Sequence, residues 1–182
     1  MSKESKTWVS SDLHFFHKNI LKHCASTRPF ADVEEMHNAI LENWNSKIAP
    51  HDTVYILGDV SFGKATKTAE IINQLNGNKI LVMGNHDRGY MNKPAFISCF
   101  SSVHKILELK YKGYSIIMFH HPIAFWEDSS RGSFMLHGHL HGFPSNLTGR
   151  IKDIGMDTNN CTPYLLDEVI TELLQIGPIE HH

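Results

Sequence analysis

No stretch of this chain stays apolar for more than about six residues, far short of the roughly twenty needed to cross a bilayer. No charge of one sign dominates either. The formal net charge is −2 with histidine neutral, so the basic field expected of a dedicated nucleic-acid binder is missing. Cysteine is scarce: Cys24, Cys99 and Cys161 are odd in number, widely spaced and form no Cys-x-x-Cys pair. That argues against a disulfide scaffold and predicts a reduced, intracellular protein. Met1 to Thr7 is polar and holds no apolar signal region. Internal repeats, low-complexity stretches and linkers are also lacking. Together these absences predict a cytoplasmic protein that does not engage a membrane.

What is present fits one domain over residues 1–182, long enough to bury a core without disulfide staples. Hydrophobic residues make up 41% and charged residues 20%, the balance of a globular chain. Histidine is the outlier at 14 residues. The terminal segment 180–182, with His181 and His182, reads as the remnant of a purification tag and is set aside.

Trp8 to Ser11 has the character of a strand end opening onto Asp12. Asp32 starts a helix as its cap, with Glu35 three residues on. Val33, Met36, Ile40, Leu41, Trp44 and Ile48 then follow helical spacing until Pro50-His51-Asp52. Thr53 to Leu57 is a short apolar strand ending at Gly58-Asp59. Ala69, Ile71, Ile72 and Leu75 predict a second helix, stopped by Asn76-Gly77. Lys79 to Met83 is a strand ending at Gly84-Asn85. Leu107, Leu109 and Tyr111 alternate with polar neighbours, Lys112-Gly113 turns, and Tyr114 to Phe119 returns as a buried strand ending at His120. A last helix runs from about Asp167 to Ile176, before Gly177-Pro178.

Five short motifs stand out against this frame: Asp12-Leu13-His14, Gly58-Asp59, Gly84-Asn85-His86-Asp87, His120-His121 and Gly138-His139-Leu140-His141. Four of them follow the carboxyl end of a predicted strand, the edge where open α/β sheets gather ligands. Singly, each has a plainer reading: a turn, a cap, a core histidine, a surface histidine pair. Five such accidents in one chain are improbable. Two Asp, an Asn and several His are what two neighbouring divalent cations need, with one carboxylate shared between them. In the third motif His86 suits proton donation to a leaving oxygen, and Asp87 suits orienting that imidazole.

In order and spacing these motifs resemble the calcineurin-like metallophosphoesterase superfamily, whose pattern is DxH, GD, GNH[DE], a lone His and GHxH. The stretches His14 to Ile20, Arg28-Pro29-Phe30 and Asn43-Trp44-Asn45 resemble its small bacterial and phage-type branch. The resemblance implies a four-layer αββα sandwich of two mixed sheets flanked by helices. It implies one metal at Asp12, His14, Asp59 and His141, and another at Asp59, Asn85, His120 and His139, with Asp59 bridging. His120 rather than His121 takes the lone-His position, since it directly follows the apolar strand and stands two before Pro122. His86 takes the catalytic position with Asp87 as its partner. The implied chemistry is hydrolysis of a phosphate ester by a metal-bound hydroxide, the two cations lying about 3.5–4 Å apart. Manganese heads the suitable metals, with iron, zinc, nickel and cobalt as alternatives.

The family's protein phosphatases carry Asp-Arg shortly after the Gly-Asp motif. Here Val60-Ser61-Phe62-Gly63 follows, so that arginine is missing. Only Ile123 to Leu136 separates the His120 and His139 loops, which leaves no room for a large cap. The expected substrate is therefore a small phosphodiester or nucleotide-like monoester. Candidate contacts to it are Asn85, His17, Arg28, Arg88, His121, Trp126 and Arg131. For Trp126 a core or lid position competes with stacking, and for the arginines a solvated one is the default. Two rivals stand beside this reading: a metal-dependent nuclease on DNA or RNA, and a binding scaffold that keeps the fold without the chemistry. The second would be expected to have lost His86 or some of the ligands. Oligomeric state has no sequence signal here.

Overall fold

Alternation along the strands decides which core each side chain enters. The computed structural model describes residues 4–179; the segment 180–182, expected to be a tag remnant, lies outside them. Strands β1 (Thr7–Ser10), β2 (Thr53–Ile56), β3 (Asn78–Val82) and β4 (Ser102–His104) lie parallel in one sheet. Strands β5 (Leu107–Tyr111), β6 (Tyr114–Met118), β7 (Phe134–His137) and β8 (Ile151–Asp153) form a second sheet in that order, with only β5 and β6 antiparallel. β9 (Tyr164–Leu165) completes the first sheet as an antiparallel edge beside β1. Both sheets are thus mixed, as the resemblance implied.

Val9, Tyr55, Leu57 and Val82 point from the first sheet into a core shared with Ile116, Met118, Phe134 and Leu136 of the second. The alternate residues Trp8, Val54, Ile56 and Leu81 point the other way, into a core roofed by helices. Those helices are α1 (Ile20–His23), α2 (Val33–Lys47), α3 (Ala65–Ile72) and α4 (Pro94–Ile97). α2 contributes Met36, Ile40 and Trp44, all wholly buried. α5 (Leu166–Leu173) closes on the inter-sheet core through Val169, Ile170 and Leu173. On the far face of the second sheet, Ile117 and Met135 pack with Trp126.

The start of α2 follows the sequence expectation closely. Asp32 accepts hydrogen bonds from the main-chain N–H of Glu34 and Glu35, each 2.9 Å, and Glu35 reaches back to the N–H of Ala31 (2.6 Å). The last helix is shorter than expected, ending at Leu173. β4, β7, β8 and β9 and the one-turn helices α1 and α4 had no clear sequence signal. Two to four residues carry too little periodicity to be read alone. No described helix is long and apolar enough to cross a membrane.

Candidate metal centre

Where the parallel strands end, their main chains stay paired for a few residues more. The Leu57 N–H donates to the Ser10 carbonyl (2.7 Å), Asp12 to Gly58 (3.0 Å), His14 to Asp59 (3.0 Å) and Phe15 to Val60 (3.1 Å). The two loops so joined carry Asp12, His14 and Asp59. All three have positive φ, at 58°, 51° and 51°. His139 and His141 share that state, at 71° and 51°. The left-handed region costs a residue with a Cβ about 1–2 kcal/mol, and Asp and His tolerate it better than most. Strain at five of the seven candidate ligands marks a site held by its surroundings.

Gly58 explains how the loops approach. Its φ is +86°, and a Cβ there would run into the backbone N and Cα of Gly84. The Gly-Asp and Gly-Asn turns therefore lie backbone against backbone, which brings Asp59 and Asn85 together.

The donor atoms converge on Asp59. Its Oδ2 lies 3.4 Å from His120 Nε2 and 3.8 Å from both His14 Nε2 and His86 Nε2. Asp12 Oδ1 lies 3.6 Å from His14 Nε2 and 3.8 Å from His141 Nε2. Asn85 Oδ1 is 3.0 Å from His120 Nε2. Three groups, Asp12–His14–His141, Asp12–Asp59–His120 and His120–His121–His139, each bring their ligand atoms within 4.8 Å of one another. The residues fit divalent cations on a further ground. Asp12 Oδ1 and His14 Nε2 are buried and have no hydrogen-bond partner among the described residues. Such orphaned atoms cost about 1–3 kcal/mol each unless something else satisfies them. Ser10 Oγ is also buried without a partner, and nothing in the structure explains it.

Three of the inward-facing imidazoles are held by their other nitrogen. His120 Nδ1 meets the Leu57 carbonyl at 2.7 Å, His141 Nδ1 meets Asp157 Oδ2 at 2.8 Å, and His14 Nδ1 meets His17 Nδ1 at 2.9 Å. These contacts orient the rings with Nε2 facing in, and the oxygen acceptors on His120 and His141 require a proton on Nδ1. Burial opposes charge on His120, yet its hydrogen bond with Asp59 and the nearby Asp12 and Asp59 carboxylates raise it to about 9. Burial likewise works against ionisation of Asp12, but His14, His120 and His141 hold its carboxyl well below the usual range. A cation entering this cluster would displace the His120 proton.

Asp157 has no sequence motif and was missed. It lies in the one-turn 3-10 helix Met156–Thr158 and is buried. Besides His141 it accepts from Thr27 Oγ1 (2.6 Å) and from Arg28 Nε (2.9 Å) and Nη2 (2.7 Å). Burial would raise its carboxyl, but His141 and Arg28 hold it far down.

Several expected contacts lie elsewhere. Arg28 is wholly buried; besides Asp157 it donates to the Asp12 and Leu13 carbonyls. It props the Asp12 loop and cannot reach a substrate. Asp87 does not touch the His86 ring. Its carboxylate accepts from the main-chain N–H of Asp59 (2.9 Å), Gly84 (2.8 Å) and Val60 (3.0 Å), so it ties two motif turns together. His17 stands behind His14, stacked on Phe62 with ring centroids 3.8 Å apart. Burial and the neighbouring His14 and His86 push it down to about 4. Trp126 is buried with its Nε1 on Ser133 Oγ (3.0 Å), a core position and not a stacking platform. Arg131 is exposed and pairs with Asp128 at 3.0 Å. Arg88 and His121 border a cleft beside Asn85. Phe62, also unforeseen, is 39% exposed and lies over the His86 ring at 4.5 Å. The His86 side chain is 46% exposed at the mouth of the site.

A family model described as calcineurin-like phosphoesterase matches residues 5–167. The chain is 32% identical to an uncharacterized protein of Methanocaldococcus jannaschii, over 96% of this chain and 94% of that one. It is 29% identical to the gene 66 protein of Mycobacterium phage L5, over 75% of this chain and 78% of that one. Among solved structures, a protein of unknown function from Aquifex aeolicus superposes with a TM-score of 0.74 at 24% identity, covering 93% of this chain and 100% of its own, and shares the fold.

Proposed function

The chain belongs to the calcineurin-like phosphoesterase family, and from that premise we propose that it hydrolyses small phosphate esters with two bound divalent cations. The observation that carries this is the pair of buried, partnerless atoms, Asp12 Oδ1 and His14 Nε2, aimed into a ring of further donors. Asp12, His14, Asp59 and His141 would hold one cation, and Asp59, Asn85, His120 and His139 the other. When bound, such a pair supplies an activated water and neutralises charge on the phosphoryl oxygens.

The protein's own groups do the rest. Main-chain pairing and the imidazole props hold the donors in place, so little reorganisation is needed as charge develops. The Asn85 amide and His86, both beside the Asp59–His120 cluster, would contact a bound phosphoryl group. His86 Nε2, 3.8 Å from Asp59 Oδ2 at the open mouth, is placed to give a proton to the departing alkoxide. Asp87 positions the Asp59 and Gly84 turns and takes no part in proton transfer. The absence of a large cap and the net charge of −2 favour small mono- or diesters over long polyanions. The buried thiols of Cys24, Cys99 and Cys161 are all free, which supports a reducing, cytoplasmic setting.

The test is a screen of protein loaded with manganese, nickel, zinc or iron against phosphomonoesters and phosphodiesters, with Asp59→Asn as the blank. Turnover by the wild type is expected to exceed the variant by about 1,000-fold or more, with fewer than two ions retained by the variant. Equal turnover by the two proteins would refute the proposal. Cleavage confined to DNA or RNA strands, with steep salt dependence, would replace it with the nuclease reading.

A further inference from the structure

Beside Asn85 and His121 the surface sinks into a cleft of about 460 Å³, within the range of small-molecule sites. Met83, Met91 and Phe119, each half-buried, form its apolar walls. Met83 and Phe119 are fixed at strand ends, one on each sheet: the Met83 N–H donates to the His104 carbonyl (2.8 Å) and Phe119 to Leu136 (3.2 Å). Arg88 and Lys105, both exposed, add two cations. Among the described residues no carboxylate lines the cleft and neither cation forms an ion pair. By contrast Lys110, Lys112 and Lys152 each sit on a carboxylate at 2.7–2.8 Å. A larger depression of about 590 Å³ between α2 and α3 carries both signs of charge, including Asp32, Glu34, Lys67 and Glu70, and none of the seven candidate ligands borders it.

An apolar slot with an uncompensated positive rim, opening at one end onto Asn85 and His121, is a receptor for a particular kind of molecule. We propose that this cleft receives the organic group of the ester, and that it selects a flat ring system joined to a second anion, which is the chemistry of a nucleotide. The proposal rests on the phosphoesterase reading, since Asn85 and His121 define the end of the cleft nearest the metal ligands. The ring lies against Phe119, with the Met83 and Met91 thioethers as adaptable neighbours. The second anion meets the Arg88 fork and the Lys105 ammonium.

The experiment compares methyl phosphate, adenosine 5′-monophosphate and adenosine 3′,5′-bisphosphate as substrates of the metal-loaded protein. Calorimetric binding of the bisphosphate to the same preparations is measured alongside. In the wild type kcat/KM should rise in the order given. Lys105→Gln should lower the bisphosphate-to-monophosphate ratio of kcat/KM about tenfold, one charge-assisted contact's worth. Phe119→Leu should lower the monophosphate-to-methyl-phosphate ratio by a similar factor, and Arg88→Gln serves as a second charge variant. Both Lys105→Gln and Phe119→Leu should raise the calorimetric Kd of the bisphosphate. Lys67→Gln, on α3 at the other depression, is the control and should move neither ratio. Equal kcat/KM on all three esters, or ratios and Kd that none of the cleft variants moves, overturns the cleft proposal and leaves the phosphoesterase reading standing. Bisphosphate binding that Lys105→Gln weakens, without turnover of any ester, upholds the cleft and overturns the hydrolase reading. Neither binding nor turnover overturns both.

Discussion

On the first sheet, the loops after β1 and β2 hold each other through main-chain hydrogen bonds, and their ligands Asp12, His14 and Asp59 are buried. On the second sheet, the segments after β6 and β7 lean on groups from distant parts of the chain. His139 donates its main-chain N–H to Asp12 Oδ2 (2.9 Å), and His141 rests on Asp157 (2.8 Å), which is itself held by Arg28. The first rim is held chiefly by its backbone, with the buried Asp87 carboxylate and Arg28 as its side-chain props, so it is most sensitive where a Cβ would block the approach. The second rim adds distant side-chain props to its main-chain pairing, and a single substitution at Asp157 can loosen a ligand. Evenly shared support would give a different pattern of sensitivity from the one expected here.

The largest effect should come from Gly58→Ala. The new Cβ would overlap the Gly84 backbone at a φ of +86°, and the loss of stability should be about 4 kcal/mol. Thermal unfolding measures it. A fall in Tm no greater than that of a surface Gly→Ala change, such as Gly89→Ala where nothing crowds the Cβ, would break the comparison on its backbone side.

Asp157→Asn should follow. It leaves Arg28, wholly buried, facing an uncharged amide. The cost should be about 3 kcal/mol, with metal affinity lowered about 10–100-fold through the loosened His141 ring. Metal titration of the folded variant is the decisive measurement, and affinity within twofold of the wild type would break the side-chain half of the comparison. Combining Arg28→Met with Asp157→Asn should cost less than the two single changes added, because the buried charge is then gone as well.

The smallest effect should be Asp32→Ala, at the cap of α2 and away from both rims. It should cost about 1 kcal/mol and leave metal stoichiometry at the wild-type value. A lost metal ion in that variant would mean that the helical layer, too, supports the site.

Much of this was legible because the chemistry is local in sequence. Helix α2 could be read because fifteen residues repeat one apolar face behind a capping Asp32. The seven candidate ligands could be read because each motif follows an apolar run or a turn signal. The strand Phe134–His137, which delivers His139 and His141, was not legible. All four residues are buried, so the run shows no alternation to distinguish it. Arg28 was misplaced for a related reason. An arginine is exposed by default, and what buries this one is a carboxylate 129 residues away. Asp87 looked like a partner of its neighbour His86, but the turn sends its carboxylate back to three main-chain N–H groups.

The order of motifs, the donor types and the apolar periodicity pointed to the family and the α/β class and nominated the candidate cation ligands, since all of these rest on residue type and short-range spacing. Tertiary structure alone decided which nitrogen of His14, His120 and His141 faces inward, which backbone positions bear strain, and that Arg28 and Asp157 serve as props. Those outcomes depend on hydrogen bonds between segments that share no neighbourhood in the chain, and only folding brings them within about 3 Å of each other.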